Sequence, residues 1–451
     1  MNILLLASSA REHAIADALS RSRHKPSITA LCTARNPGIL ALADRLEVGS
    51  LLDFPRMLEL AKETKPDFAV IGPDDPIGMG AADALAAIGI PSVAPKKALA
   101  RIESSKGFTR DLLKKHGIDA SPKYRVFART ENSVSALSEE KKALYIYMER
   151  ELEGNYVVKY DALKGGKGVK VSGEHLATVE DGVDYAIECL NECGRVVIEE
   201  KLVGVEFSLL SFVSGTQVVD MPAVQDHKRA YDGDTGPNTG GMGTYTDANH
   251  SLPFLTTNDL AQAKEINRRV AAALLKECGE PYRGILYGGF IAVRDGIRVI
   301  EYNARFGDPE ALNLLPLLQS DFVDICLSIV HGELRENLVS FAKKATVCKY
   351  VTPHSYPDAK NEKGKAVTFP APLPSDARLY YGDISQADDG SLLLGGSRTA
   401  GIVGIGDTIA EAERVAQEIC ENVRGPIRYR RDVGTSKLIG KRLEMLDLLR
   451  S

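Results

Sequence analysis

The first hundred residues alternate short apolar runs with helix-like stretches, and that rhythm constrains the fold more than any other feature of the chain. Ile3–Leu6, Ile28–Cys32, Phe68–Ile71 and Ser92–Ala94 read as buried strands, with helices such as Glu12–Ser20 and Gly80–Ile88 between them. Strands joined through helices pair in parallel, so the pattern predicts an open, mostly parallel α/β sheet. Ligands of such sheets lie at the carboxyl ends of the strands. Two loops stand at such ends: Ala7-Ser8-Ser9-Ala10-Arg11-Glu12-His13 and Gly72-Pro73-Asp74-Asp75-Pro76.

Beyond residue 103 the pattern changes. Ser104 is placed to cap a helix carrying Lys106, Phe108, Leu112 and Leu113, stopped by Gly117. A small α+β module follows to about residue 200. The stretch 196–213 alternates apolar and polar positions around Gly204. Strands at 285–293 and 297–302 form a hairpin turned by Arg294-Asp295-Gly296. A polar stretch near 333–344 opens the last segment, with strands at 345–351 and 399–404 and a helix at 409–423 behind the Thr408/Glu411 capping pair. The chain of 451 residues is long enough for two to four cores. The expected domains are 1–103, 104–335 with a small lid subdomain at about 123–196, and 336–451.

Composition narrows the function. A net charge of −5 argues against a general grip on nucleic acid, so any phosphate recognition is local. No apolar run approaches transmembrane length, and Met1–Leu6 reads as a strand rather than a signal peptide. Seven cysteines without zinc-finger spacing suit reduced thiols in the cytoplasm. Small molecules, not nucleic acid or membrane, are the expected partners.

Two motifs carry the chemistry. Residues 233–243, Gly-Asp-Thr-Gly-Pro-Asn-Thr-Gly-Gly-Met-Gly, let backbone approach a ligand closely. Sixty residues on, Glu301 and Asn303 lie two apart on a strand and so share one side, followed by Arg305 and Asp308. Glu301 and Asn303 offer the hard oxygens that Mg²⁺ accepts beside phosphates and water. Upstream, Lys164-Gly165-Gly166-Lys167-Gly168-Val169 lacks the closing Gly-Lys-Ser/Thr of a P-loop, but its N–H groups suit phosphate oxygens. By itself such a loop is more often a solvated turn; Lys159, ending an apolar strand just before it, favours a phosphate site, with Lys106 a third cation. Glu199-Glu200-Lys201-Leu202 followed by Glu206 suggests a nucleoside pocket, although by itself the run reads more readily as an edge strand with acidic solvent-facing residues. Neither His13 nor His227 is assigned as a general base.

Together these segments resemble the ATP-grasp superfamily and, within it, the glycinamide ribonucleotide synthetases. The resemblance runs in order through Arg11-Glu12-His13, Gly72-Pro73, Ser105-Lys106, Lys159, the glycine lid, Gln225–Arg229, Gly233–Gly243, Glu301–Glu310 and Tyr429–Gly434. It implies ligation of glycine to 5-phosphoribosylamine through glycyl phosphate, with ATP and Mg²⁺ or Mn²⁺. By the same resemblance Lys106, Lys159, Gly165, Gly166, Lys167 and Gly168 hold the triphosphate. Glu200 and Leu202 meet adenine, and Glu206 the ribose. Glu301 and Asn303 bind the metal, and Arg305 neutralises the transferring phosphoryl group. Asp226, Asp308 and Gly240, Gly241 and Met242 lie along glycine and its acyl phosphate, with Asp234, Thr235 and Asn238 in the same substrate loop. Arg11, Glu12, His13 and Gly72 take the sugar phosphate.

The chain departs from the family in its first loop, commonly Gly-Asn-Gly-Gly or Gly-Ser-Gly-Ala, here Ala7-Ser8-Ser9-Ala10. That exchange removes residues suited to positive φ and to close approach of a phosphate. Many ATP-grasp enzymes also draw a metal ligand from the strand before Glu301, where Ile285–Val293 offers none. A divergent ATP-grasp ligase with another substrate pair, or a non-catalytic nucleotide-binding relative, are the competing expectations.

Overall fold

The computed structural model describes residues 1–129, 134–164, 168–358 and 361–451, with only the backbone of 134–136. The amino-terminal sheet is the one expected. Strands β1 (Asn2–Ala7), β2 (Ser27–Cys32), β3 (Arg45–Val48), β4 (Phe68–Ile71) and β5 (Ser92–Val93) pair in parallel in the order β3-β2-β1-β4-β5. Strand β3 has no counterpart in the sequence reading, because an edge strand with no fully buried residue carries no apolar run. Leu6 of β1 lies beside Ile71 of β4, so the 7–10 and 72–76 loops emerge side by side.

Helix α1 (Ala10–Ser20) begins where the family's glycines were expected to matter. Ser9 has φ −152°, an extended conformation open to any residue, and no residue of the 7–10 loop has positive φ. The Ser8 and Ser9 N–H groups donate to Glu12 at 3.0 and 2.8 Å, so the helix start is satisfied by its own side chain.

Helix α2 (Lys97–Ser104) leads into α3 (Lys106–Lys115). Ser105, not Ser104, caps α3, its hydroxyl accepting from Phe108 N–H at 3.1 Å; Ser104 ends the helix before it. The lid sheet is antiparallel in the order β6-β9-β7-β8, with β6 (Tyr124–Ala128), β7 (Tyr156–Tyr160), β8 (Val169–Val171) and β9 (Arg195–Glu200), and is backed by α4 (Val179–Cys193). A second antiparallel sheet is built on β10 (Val205–Ser214) and β11 (Gln217–Asp220).

Short strands β12 (Gln225–Asp226), β13 (Arg229–Tyr231), β14 (Thr235–Asn238) and β15 (Gly243–Thr246) follow. Helix α5 (Thr257–Cys278) then leads to β16 (Arg283–Val293) and β17 (Gly296–Asn303), the expected hairpin, which completes the order β11-β10-β16-β17. Helix α6 (Glu310–Leu314) follows, and a further helix over Phe322–His331 ends the segment.

The carboxy-terminal part is not a separate bead. Its strands β18 (Ala345–Pro353), β19 (Ala377–Tyr381) and β20 (Ala400–Gly406) continue a sheet begun by β12 and β15, with Thr244 opposite Cys348. Helix α7 (Ile409–Asn422) packs on that sheet through Ala412, Val415, Ala416 and Ile419. Helix α8 (Ser436–Arg450) returns to the middle of the molecule, where Arg450 grips Asp259 of α5 through two hydrogen bonds of 2.9 and 2.8 Å. Among the described residues no helix is long and apolar enough to cross a membrane.

Candidate active site

A cleft of about 800 Å³ lies between the lid sheet and the β10/β16/β17 sheet, and all three sequence regions contribute to its walls. Its floor is a buried charge lattice. Lys159, last but one in β7, places Nζ 2.7 Å from Glu199 and donates to Ile300 O at 3.0 Å. Arg110 of α3 grips the same carboxylate at 2.6 and 2.9 Å and also donates to Val299 O and Ile300 O. Burial disfavours the Glu199 anion, but Arg110 and Lys159 outweigh it and hold the carboxyl below its usual range. Lys106, the first residue of α3, donates to Ala162 O at 3.0 Å beside the lid.

Strand alternation puts Glu301 and Asn303 on the cleft side of β17, as expected. Lys228, part of the Gln225–Arg229 segment but given no role by the sequence, lies 3.7 Å from Glu301. Burial opposes ionisation of Glu301, yet the field of Lys228, Lys159, Lys106 and Arg305 brings its pKa down to about 2. Lys228 is held charged in turn by Glu301, Glu206, Asp226 and Glu310 against the cost of burial. Arg305 pairs with Glu103 of α2 at 3.0 Å and donates to Phe306 O at 3.1 Å, while its buried Nε has no protein partner. Glu103 and Asp74 keep that guanidinium charged despite burial.

Asp308 stands where the three regions meet. Its Oδ1 accepts from Tyr350 of β18 at 2.7 Å and its Oδ2 from the Ser9 hydroxyl at 2.7 Å. Arg398, in the segment before β20, lies 3.3 Å from the same carboxylate and donates to the carbonyls of Gly240, Gly241 and Asp308 at 2.8, 3.0 and 2.9 Å. Burial raises the Asp308 pKa, but Arg398, Arg11 and the two hydroxyls bring it below the usual carboxylate value. Asp226 goes the other way. It accepts from His227 N–H at 2.7 Å, but burial and the neighbouring Glu310 push its carboxyl well up. Gly241, at φ +111°, must be glycine: a Cβ there would fall 2.6 Å from Pro309 and 2.7 Å from Asp226.

The remaining expected residues divide between the cleft wall and other places. Glu200, Leu202, Glu206, Gly168, Asn238 and Gly240 line the cleft with Lys106 and Lys159. Gly165, Gly166 and Lys167 lie outside the described residues. From the first loop only Ser8, Ser9 and Arg11 reach the cleft. Glu12 is fully buried against Gly72, where a Cβ would fall 2.3 Å from its carboxylate. His13 turns from the cleft to accept from Tyr381 N–H at 2.9 Å, and burial lowers its pKa to about 4. Glu12, His13 and Gly72 therefore shape the wall instead of touching a ligand. Asp234 lines the cleft but is engaged by Arg430 at 2.9 Å and by Arg442. Thr235 is exposed and donates to Asp232 O, and Met242 is fully buried beside Tyr356. Neither is on the cleft wall.

Four cations, Lys106, Lys159, Lys228 and Arg305, thus face one hard-oxygen pair, Glu301 and Asn303. That arrangement suits a polyphosphate carrying a divalent ion, with a carboxylate-lined recess beyond it.

Comparison with known proteins identifies the family of the chain. Residues 1–103 match the N domain of phosphoribosylglycinamide synthetase, residues 104–311 its ATP-grasp (A) domain and residues 346–436 its C domain. The chain is 46% identical over 453 residues to the phosphoribosylamine–glycine ligase of Methanococcus maripaludis and 45% over 450 residues to that of Methanosarcina barkeri, each covering 100% of both chains. The crystal structure of phosphoribosylamine–glycine ligase from Thermotoga maritima superposes with a TM-score of 0.77 at 29% identity, over 96% of this chain and 100% of that one. The chain therefore belongs to the phosphoribosylglycinamide synthetase family, the ATP-dependent phosphoribosylamine–glycine ligases of purine biosynthesis.

Proposed function

We propose that the cleft activates the carboxylate of glycine with ATP and delivers the glycyl group to the amine of 5-phosphoribosylamine. A glycine carboxylate oxygen forms a bond to the γ-phosphorus as the bond to ADP breaks. The amine nitrogen then bonds to the acyl carbon, phosphate leaves with the C–O electron pair, and the amine gives up a proton. The first step crowds anions, so its barrier is chiefly electrostatic, and preorganised cations are the natural catalysts.

The carrying observation is the convergence of Lys159, Lys228 and Arg305 on Glu301 and Asn303 in one cleft. Lys106 and Lys159 hold the triphosphate, and Arg305 and Lys228 neutralise the transferring phosphoryl group. Glu200 and Leu202 border the adenine through their backbones, and Glu206 the ribose. Glu301 and Asn303 fit Mg²⁺ or Mn²⁺ through oxygen donors, and the ion when bound would screen the phosphate charges. Asp226 and Asp308, with Gly240, form the recess for glycine. The sugar phosphate lies at the Arg11, Ser8 and Ser9 end. The 8 and 9 N–H groups are taken by Glu12, so the cation this loop offers is Arg11, itself paired with Glu12 and donating to Phe306 O at 3.2 Å.

Domain limits at 103 and 335 are compatible with the family matches to 1–103, 104–311 and 346–436, and the lid at about 123–196 rests on the separate β6-β9-β7-β8 sheet. The reaction's soluble small-molecule substrates suit the cytoplasm. Purified protein with ATP and Mg²⁺ is expected to release ADP only when glycine and phosphoribosylamine are both supplied. Release with another acid and amine, but not with this pair, would overturn the assignment.

A further inference from the structure

The carboxylate of Asp308 is held by groups from outside its own segment, and one of them comes from the first loop. Ser9 Oγ lies 2.7 Å from Asp308 Oδ2 and 3.3 Å from Glu12 Oε2. A hydroxyl has one proton to donate, and the shorter contact assigns it to Asp308. Glu12 does not need it, since its Oε2 already receives the Ser8 and Ser9 N–H groups. Tyr350 occupies Oδ1 at 2.7 Å, and Arg398 approaches Oδ2 at 3.3 Å while fixing the Asp308 carbonyl at 2.9 Å. The Asp308 side chain is 8% exposed, so each of these contacts counts in a site with little water to replace it.

We propose that Ser9 is a positioning residue for the glycine site: its hydroxyl fixes Oδ2 of Asp308 while Tyr350 fixes Oδ1, so that the plane of the carboxylate is set and its remaining lone pairs meet the substrate's ammonium. This rests on Asp308 bordering glycine, as proposed above. Serine at position 9 sits in extended backbone, a conformation open to any residue and requiring no glycine. The loop that lines the sugar-phosphate end of the cleft is thereby tied to the acid that orients the amino acid. The two substrate sites share one hydrogen bond.

The test is the steady-state kinetics of Ser9→Ala, Ser9→Gly and Ser9→Thr with glycine as the varied substrate, beside Asp308→Asn. Removing one hydrogen bond to a charged group is expected to lower kcat/KM for glycine about tenfold, mostly through KM, with the KM for ATP unmoved. Threonine keeps the hydroxyl and suits extended backbone, so Ser9→Thr is expected to restore the wild-type KM. In the Asp308→Asn background the Ser9→Ala change is expected to have less than a twofold effect. Wild-type glycine KM in both Ser9→Ala and Ser9→Gly would overturn the role of the hydroxyl, as would a Ser9→Thr enzyme as impaired as Ser9→Ala. If Ser9→Ala does not fold, Ser9→Gly gives the same reading. An unchanged glycine KM in Asp308→Asn would instead remove Asp308 from the glycine site, a different failure.

Discussion

Arg305, two residues past β17, reaches back 3.0 Å to Glu103 on α2, so the guanidinium proposed to neutralise the phosphoryl group is aimed by a carboxylate two hundred residues earlier in the chain. Arg305→Ala is expected to lower kcat about 10²- to 10³-fold, the cost of losing a preorganised donor to transition-state charge. The KM for ATP should move little, because Lys106 and Lys159 remain. Glu103→Gln should lower kcat less, since the arginine stays but loses its charged anchor. Initial-rate measurements over ATP concentration separate the two; an unchanged kcat in Arg305→Ala would exclude it from the mechanism.

Glu199 bears on stability as much as on binding. It neutralises Arg110 and Lys159 in a site where its own side chain is 3% exposed. Glu199→Gln leaves two buried cations facing a neutral group, and breaking such a pair costs about 3–5 kcal/mol. Urea denaturation monitored by circular dichroism should show a fall of that size, with tighter binding of ATP failing to restore it fully. A midpoint equal to wild type would show that water relieves the lattice.

Two histidines set a pH dependence of stability. Burial lowers both His13 and His227 from 6.5 to about 4. The unfolded chain therefore binds more protons than the folded one between these values, and stability rises with pH across the interval. Their contribution is complete above pH 6.5 and lost as the pH falls towards 4, amounting to up to about 3 kcal/mol per histidine. Melting temperatures from pH 7 to 4 check this. His13→Gln keeps an acceptor for Tyr381 N–H without titrating, and should flatten part of the slope.

Local pattern carried the elements and much of the site, and failed where partners are distant in sequence. The β1–β4 rhythm, the β16–β17 hairpin and the same-side pair Glu301 and Asn303 follow from periodicity alone, because alternation and apolar runs are local properties. Glu103, Arg110 and Arg398 look like ordinary helix or loop charges, and only the fold shows that each is buried against a functional group. Pairing of β15 with β18, which joins the glycine loop to the carboxy-terminal sheet, has no local signature either. Lys228 was the nearest to legible: it follows Asp226 by two positions next to a two-residue strand, and so emerges on the same cleft. His13 misled because motif position says nothing of which way a ring turns, and Tyr380 and Tyr381 from β19 draw it away.

Lys228 offers the sharpest electrostatic prediction. It faces Glu206, Asp226, Glu301 and Glu310, and lies 3.7 Å from Glu301, the carboxylate proposed to hold the metal. An ammonium there does two opposed things: it attracts the phosphoryl oxygens in the transition state and repels a divalent cation beside Glu301. Lys228→Met removes both effects at once. The first predicts a fall in kcat of about 10²-fold, comparable to the loss of one preorganised donor. The second predicts that half-maximal activity needs two- to tenfold less free Mg²⁺ than in wild type, roughly the gain from deleting one unit of like charge at this distance in a partly solvated site. Activity titrated with Mg²⁺ at saturating ATP measures both in one experiment. A variant needing more Mg²⁺ would mean that Lys228 helps shape the ion's site instead of competing with it, and that Glu301 depends on its ammonium for position.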